Sequence, residues 1–178
     1  MTTRPVAVAV DGSGESLRAV EWAVSEAQLH STPLRIVSVA SLPKMVVLQL
    51  QPERDAVLGY VREERDRALA AAVARAARLA PGLLIDTDPV EGQAARAVTD
   101  SGSGALMLVV GFRGIGAFAA MPLGSVARYA ADHASCPVVV TARAAGPSTG
   151  SVSISRPGAS RAARAAAAAR ARSRCPRT

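Results

Sequence analysis

The 178 residues suffice for one domain with a substantial core, a second full domain is not expected, and no apolar run reaches the roughly 18 residues that cross a bilayer. The formal charge of +7 sits at the end of the chain: residues 144–178 hold seven arginines and no acidic residue, whereas residues 1–143 carry 14 basic and 14 acidic side chains. The two cysteines, Cys136 and Cys175, make no disulfide framework, and Met-Thr-Thr-Arg-Pro leads into a strand pattern without the features of a leader, so a reduced, cytoplasmic protein is expected.

In chain order, Val6–Val10 (VAVAV) is wholly apolar, as a strand buried on both faces must be. Asp11-Gly-Ser-Gly-Glu-Ser16 follows, a cluster of turn and cap residues, and Leu17, Val20, Val24 and Ala27 then recur at helical spacing as far as Leu29. Leu34–Ala40 predicts a second strand. Residues 41–52 (SLPKMVVLQLQP) form an apolar connection, read as a loop packed on the domain with a flap over a ligand as the alternative. Residues 53–80 predict a long helix ended by Pro81-Gly82, Leu83–Thr87 a weaker third strand, and Gln93–Thr99 a short helix. Ala105–Val110 predicts the fourth strand, Ser125–His133 a helix and Pro137–Thr141 the last strand.

Strands alternating with helices, and nearly uninterrupted in their apolarity, specify an α/β fold: a doubly wound five-stranded parallel sheet with helices on both faces. The domain is bounded at residues 1–143. Residues 144–178, rich in Gly, Pro, Ser, Ala and Arg, are expected to be a disordered tail. Nucleic acid is not the expected partner of that tail, because no aromatic residue interleaves its arginines to stack on bases.

Ligands of doubly wound sheets bind beyond the carboxyl ends of the strands, and both glycine-rich turns fall there. A Walker loop is excluded because the chain has no Gly-Lys pair, its single lysine being Lys44. The dinucleotide fingerprint is excluded by the spacing of GFRGIG and by the missing third glycine of DGSGES. What remains is G-x2-G-x9-G-S, comprising Gly111, Gly114, Gly124 and Ser125. Gly111 leaves room at the strand end, and Gly114 in a left-handed conformation would turn its amide inward as part of an anion nest. Gly124-Ser125 opens a helix whose free amides and dipole favour a phosphate.

The segments VAVDGS, GFRGIGAFAAMPLGS and HASCPVVVTAR resemble the universal stress protein family, in its ATP-binding branch, over residues 4–143. The resemblance implies an adenine nucleotide alpha hydrolase-like fold that binds ATP, with Mg²⁺ as an accompanying ion. Asp11 would lie by the ribose and phosphates and is the candidate metal contact, and Val39 would touch adenine. Gly111, Arg113, Gly114, Gly124, Ser125 and Val126 would line the triphosphate. Val138, Val139, Val140 and Thr141 would pair two copies into a homodimer, and the function implied is that of a regulatory stress-response protein with at most slow ATP hydrolysis. IGAFAAMPL departs from the family pattern in holding no basic residue, which leaves Arg113 as the one cation of the loop. Two alternatives stay open: an interaction module of the same fold without a nucleotide, and an adenylating enzyme, for which DGSGES lacks a basic motif.

Asp11 also suits a helix cap, and Arg113 a solvated turn. His30 and His133 read as helix-end residues, Cys136 as a small buried hydrophobe, and Trp22 and Tyr60 as core or dimer-facing.

Overall fold

The computed structural model of the chain describes residues 3–42, 54–112, 114, 123–141 and 152–155. Strand β1 (Val6–Val10) leads into helix α1 (Gly14–Leu29), β2 (Leu34–Ala40) into α2 (Arg54–Leu79), and β3 (Ile85–Glu91) into α3 (Ala94–Ser101). Then come β4 (Met107–Gly111), α4 (Ser125–His133), β5 (Val138–Thr141) and β6 (Val152–Ser155).

The first five strands are parallel, as the alternating pattern predicts, and lie in the order β3-β2-β1-β4-β5. The order reverses between β1 and β4, where the connections leaving the two strands diverge and open a crevice at their carboxyl ends.

Alternation along β1 divides the core in two. Val6, Val8 and Val10 pack with α1 and α2, joined by Leu34 and Ile36 of β2. Ala7 points to the other face, where Leu108, Val110, Val138 and Val140 meet Val98 of α3 and Ala127 and Ala130 of α4. Each fully buried aliphatic side chain of these layers contributes about 1.5–3 kcal/mol. Trp22 is part-buried against the α1/α2 layer, in the core role expected of it.

The weak third strand runs later than Leu83–Thr87, at Ile85–Glu91. The Leu83 N–H returns to the Ala80 carbonyl (3.1 Å) across the left-handed Gly82 (φ +96°), so Leu83 belongs to the end of α2. Asp86, Asp88 and Pro89 are tolerated because β3 forms the sheet's edge, where one side needs no ladder donors.

The other edge departs from expectation. Within the segment read as a disordered tail, Val152–Ser155 forms β6, antiparallel to β5 from Val138↔Ser155 to Thr141↔Val152. The edge expected to receive a second copy is therefore paired within the chain. The apolar connection falls largely on residues 43–53, outside the described residues.

Candidate ligand-binding site

At the end of β1 the chain turns through Gly12, whose φ of +83° a side chain would resist and whose Cα faces the Ala68 methyl; a Cβ there would stand 3.6 Å from it. Ser13 caps α1 by accepting from the Ser16 N–H (3.2 Å). Asp11 is thus not the cap. Its Oδ1 accepts from the Ser13 N–H (3.0 Å) and the Ser13 hydroxyl (2.6 Å), a local turn that fixes the carboxylate at the tip of β1. The buried Ser38 hydroxyl donates to the Val10 carbonyl (2.8 Å) and ties the ends of β1 and β2 together.

Across the switch point, Phe112 donates its N–H to the Thr141 carbonyl (2.8 Å), and Gly124 donates to the Phe112 carbonyl (2.9 Å). This clasp closes the loop that begins at Gly111. It also consumes the Gly124 amide, which is therefore not a ligand donor as expected. The donors left at the start of α4 are the N–H groups of Ser125, Val126 and Ala127, and no side chain caps that helix. The positive end of α4 consequently faces the crevice. Phe112 packs on the α3/α4 core layer and does not enter the cavity.

Space requires glycine at 114. A Cβ built on it would collide with Oδ2 of Asp11. The glycine loop and the carboxylate at the end of β1 therefore close on each other across the crevice, and residue 114 has room for a hydrogen only.

Beside this approach lies a cavity of about 770 Å³ lined by Asp11, Val39, Gly111, Gly114, Gly124, Ser125 and Val126. Seven of the eight positions singled out in the sequence thus share one wall system; the eighth, Arg113, lies outside the described residues. Its volume falls in the range of small-molecule sites, roughly 300–1,000 Å³.

One wall was not anticipated. Tyr60, Val61, Glu64, Arg65 and Ala68 line the cavity from a single face of α2. The signal was present in the lengths: 26 helical residues reach about 39 Å, while the five to seven residues of each parallel strand on that side reach about 17–23 Å. A helix of that length overhangs the sheet. Tyr60, read as core or dimer-facing, is 61% exposed, so it is not a core residue, and it lines the cavity. Arg65 is largely buried at 12% exposure, with Nη2 at 2.8 Å from Asp66 and Nη1 at 4.0 Å from Glu91.

The overhang is tied to the end of β3 by Arg62, whose Nε and Nη2 donate to the two oxygens of Glu91 (2.7 and 3.1 Å). These hydrogen bonds hold the Glu91 carboxyl below its ordinary value and raise the Arg62 guanidinium. Cys136 is buried and its thiol is pushed up, chiefly by desolvation. His30 and His133 lie at helix ends as expected, by Glu26 (3.5 Å) and the Tyr129 carbonyl (3.0 Å) respectively. Among the described residues no three His, Cys, Asp or Glu side chains gather into a metal cage. No helix among them is long and apolar enough to cross a membrane.

The fold and cavity define an open, doubly wound α/β domain with a ligand-sized crevice at its switch point. The model of the universal stress protein family matches residues 2–142, and the chain belongs to that family. It is 36% identical over 138 residues to a universal stress protein of Mycolicibacterium smegmatis, covering 76% of this chain and 47% of that one; it spans about half the length of the curated relatives it matches. A universal stress protein from Lactobacillus plantarum superposes with a TM-score of 0.65 at 25% identity, over 79% of this chain and 98% of the other. A universal stress protein solved in complex with cAMP gives a TM-score of 0.54 at 26% identity, over 79% and 97%.

Proposed function

We propose that this domain binds ATP in the crevice and acts as a nucleotide-responsive regulatory protein. The observation that carries the reading is the convergence of the Asp11 carboxylate, Gly114 and the uncapped amides of Ser125, Val126 and Ala127 on one cavity. A family relative in complex with cAMP supports an adenine nucleotide as the class of ligand. The phosphates lie against the start of α4, where backbone donors and the helix dipole favour anions. The adenine lies towards Val39, Val61 and Ala94, the apolar part of the lining.

Charge decides the ion requirement. Asp11, Glu64 and Arg65 are the charged groups among the described lining residues and sum to one negative charge, which opposes a polyphosphate. Mg²⁺ fits a site of this composition, since it is commonly held by one or two carboxylates together with substrate phosphates. Asp11 would hold it, and the ion would neutralise phosphate charge there. This chain's own residues position the nucleotide: Ser13 fixes Asp11, and the Phe112–Gly124 clasp fixes the start of α4.

A regulatory role is favoured over rapid turnover. The one carboxylate beside Gly114 is engaged by Ser13, and Arg65 is engaged by Asp66, so neither is poised as a base or as a mobile cation. Isothermal titration of the protein with ATP in the presence and absence of Mg²⁺ tests the proposal. One saturable site that tightens with Mg²⁺ is expected; heats indistinguishable from dilution in both titrations would refute it.

A further inference from the structure

Tyr60 stands on the overhanging end of α2, two turns before Ala68, whose methyl faces Gly12 at the tip of β1. At 1.5 Å per residue it lies about 12 Å beyond Ala68 along the helix axis, at the mouth of the cavity. The hydrogen bonds from Arg62 to Glu91 hold this turn of α2 over the carboxyl ends of β2 and β3, since Glu91 pairs with Ala40 and Val90 with Val39 in the parallel ladder. α2 and α3 cover opposite faces of the sheet, so Tyr60 on α2 and Ala94 on α3 reach the cavity from opposite sides.

Aromatic side chains are scarce in this chain, and most of those described are used within the fold. Trp22 and Phe112 pack against the core layers, and Tyr129 stacks on His133 with ring centroids 4.1 Å apart. Tyr60 has no ring partner among the described residues. Of the large apolar side chains exposed there, Leu29, Leu79 and Leu84 take no part in the cavity lining, whereas Tyr60 does. An exposed apolar residue by itself needs no explanation. An uncovered aromatic face on a ligand-sized cavity is a surface for a flat ligand group.

We propose that Tyr60 is a base-stacking residue of this site. The inference rests on the nucleotide reading and adds a contact that holds the base: the phenol ring closes over it from the α2 side, with Val39 and Ala94 behind it. An exposed side chain exchanges rotamers within nanoseconds, so the ring yields to an entering nucleotide and then settles on its base. The described lining charges sum to one negative charge and give a polyphosphate no net attraction, so the base contact carries a larger share of the affinity. Stacking uses the π-face that every base presents, so Tyr60 favours nucleotides as a class and leaves the choice among bases to other groups.

Isothermal titration of the full-length wild-type chain, Tyr60→Ala and Tyr60→Phe with ATP tests the proposal, together with the fluorescence of Tyr60→Trp. Removing the ring should weaken ATP binding about tenfold. Phenylalanine should hold the affinity within about twofold of wild type, because stacking needs the ring and not the hydroxyl. In Tyr60→Trp, saturating ATP should quench the introduced indole well beyond any change that Trp22 shows in the wild-type chain. Equal affinities of wild type and Tyr60→Ala, an equal loss in Tyr60→Phe, or an indole left unquenched with ATP bound would each overturn the role of Tyr60 and leave the nucleotide site standing. A wild-type chain that gives no heat of binding refutes the nucleotide reading and this inference with it. Thermal melts check that the variants fold, and should Tyr60→Ala fail to, the quenching in Tyr60→Trp decides.

Discussion

Replacing Gly114 by alanine adds one methyl group where Oδ2 of Asp11 already lies. The conflict is therefore between two side groups, and one must yield. If Asp11 turns aside, it gives up a bond to Ser13, and a hydrogen bond to a charged acceptor is worth about 1.5–3 kcal/mol. If the loop retreats instead, it opens the cavity on that side. Either movement removes the carboxylate–loop approach on which ATP binding is proposed to rest, and the same 1.5–3 kcal/mol corresponds to about a 10- to 150-fold loss of affinity. The assay is competitive displacement of a fluorescent adenine nucleotide, with the melting temperature as a check on folding. Gly59→Ala is the control. Its Cβ meets nothing within 4 Å on α2, so it should raise stability by about 0.5–1 kcal/mol and leave affinity alone. An unchanged Kd for Gly114→Ala would show that the approach of Asp11 and Gly114 has no part in binding.

Arg65→Ala should weaken ATP binding by about tenfold while the fold survives, because its guanidinium is the cation of the α2 wall; equal affinities would confine Arg65 to its pairing with Asp66 and Glu91. Glu91 has its folded-state carboxyl below the ordinary 4.5, so its pairing with Arg62 adds stability above that pH and loses it as pH falls through the folded value. The stability gap between the wild-type chain and Glu91→Gln should accordingly shrink as a series of denaturant melts moves below about pH 4.5, and a constant gap would contradict the shift. In a Cys175→Ser background, Cys136 should resist alkylation at mildly alkaline pH until denaturant is added, since burial keeps its thiol protonated; rapid labelling of the folded protein would argue against that burial.

The parallel sheet was legible because buried strands must be apolar throughout: VAVAV, LRIVSVA and PVVVT announce themselves, and the helical stripes between them fix the class. Asp11, Gly111, Gly114, Gly124 and Ser125 were legible for a topological reason, as turn residues at strand ends of a doubly wound fold. Two things lay beyond sequence pattern. Why residue 114 must be glycine depends on the approach of Asp11 from a strand a hundred residues away, a contact that no local rule encodes. Likewise β6 was hidden because Val-Ser-Ile-Ser amid glycine, proline and serine gives too short an alternation to stand out, and it becomes a strand through the edge that β5 offers. The α2 wall falls between these cases. Its residues read as an ordinary long helix, and only the comparison of helix and strand lengths shows that it overhangs the cavity.

The central claim, that an adenine nucleotide lies between Asp11, Gly114 and the start of α4, is tested most directly by amide chemical-shift mapping on the ¹⁵N-labelled full chain during an ATP titration. The largest saturable shifts should fall on Gly114, Ser125, Val126 and Ala127, with smaller ones at Val39 and Ala94. Shifts centred elsewhere on the molecule, or none at saturating ATP, would contradict the account.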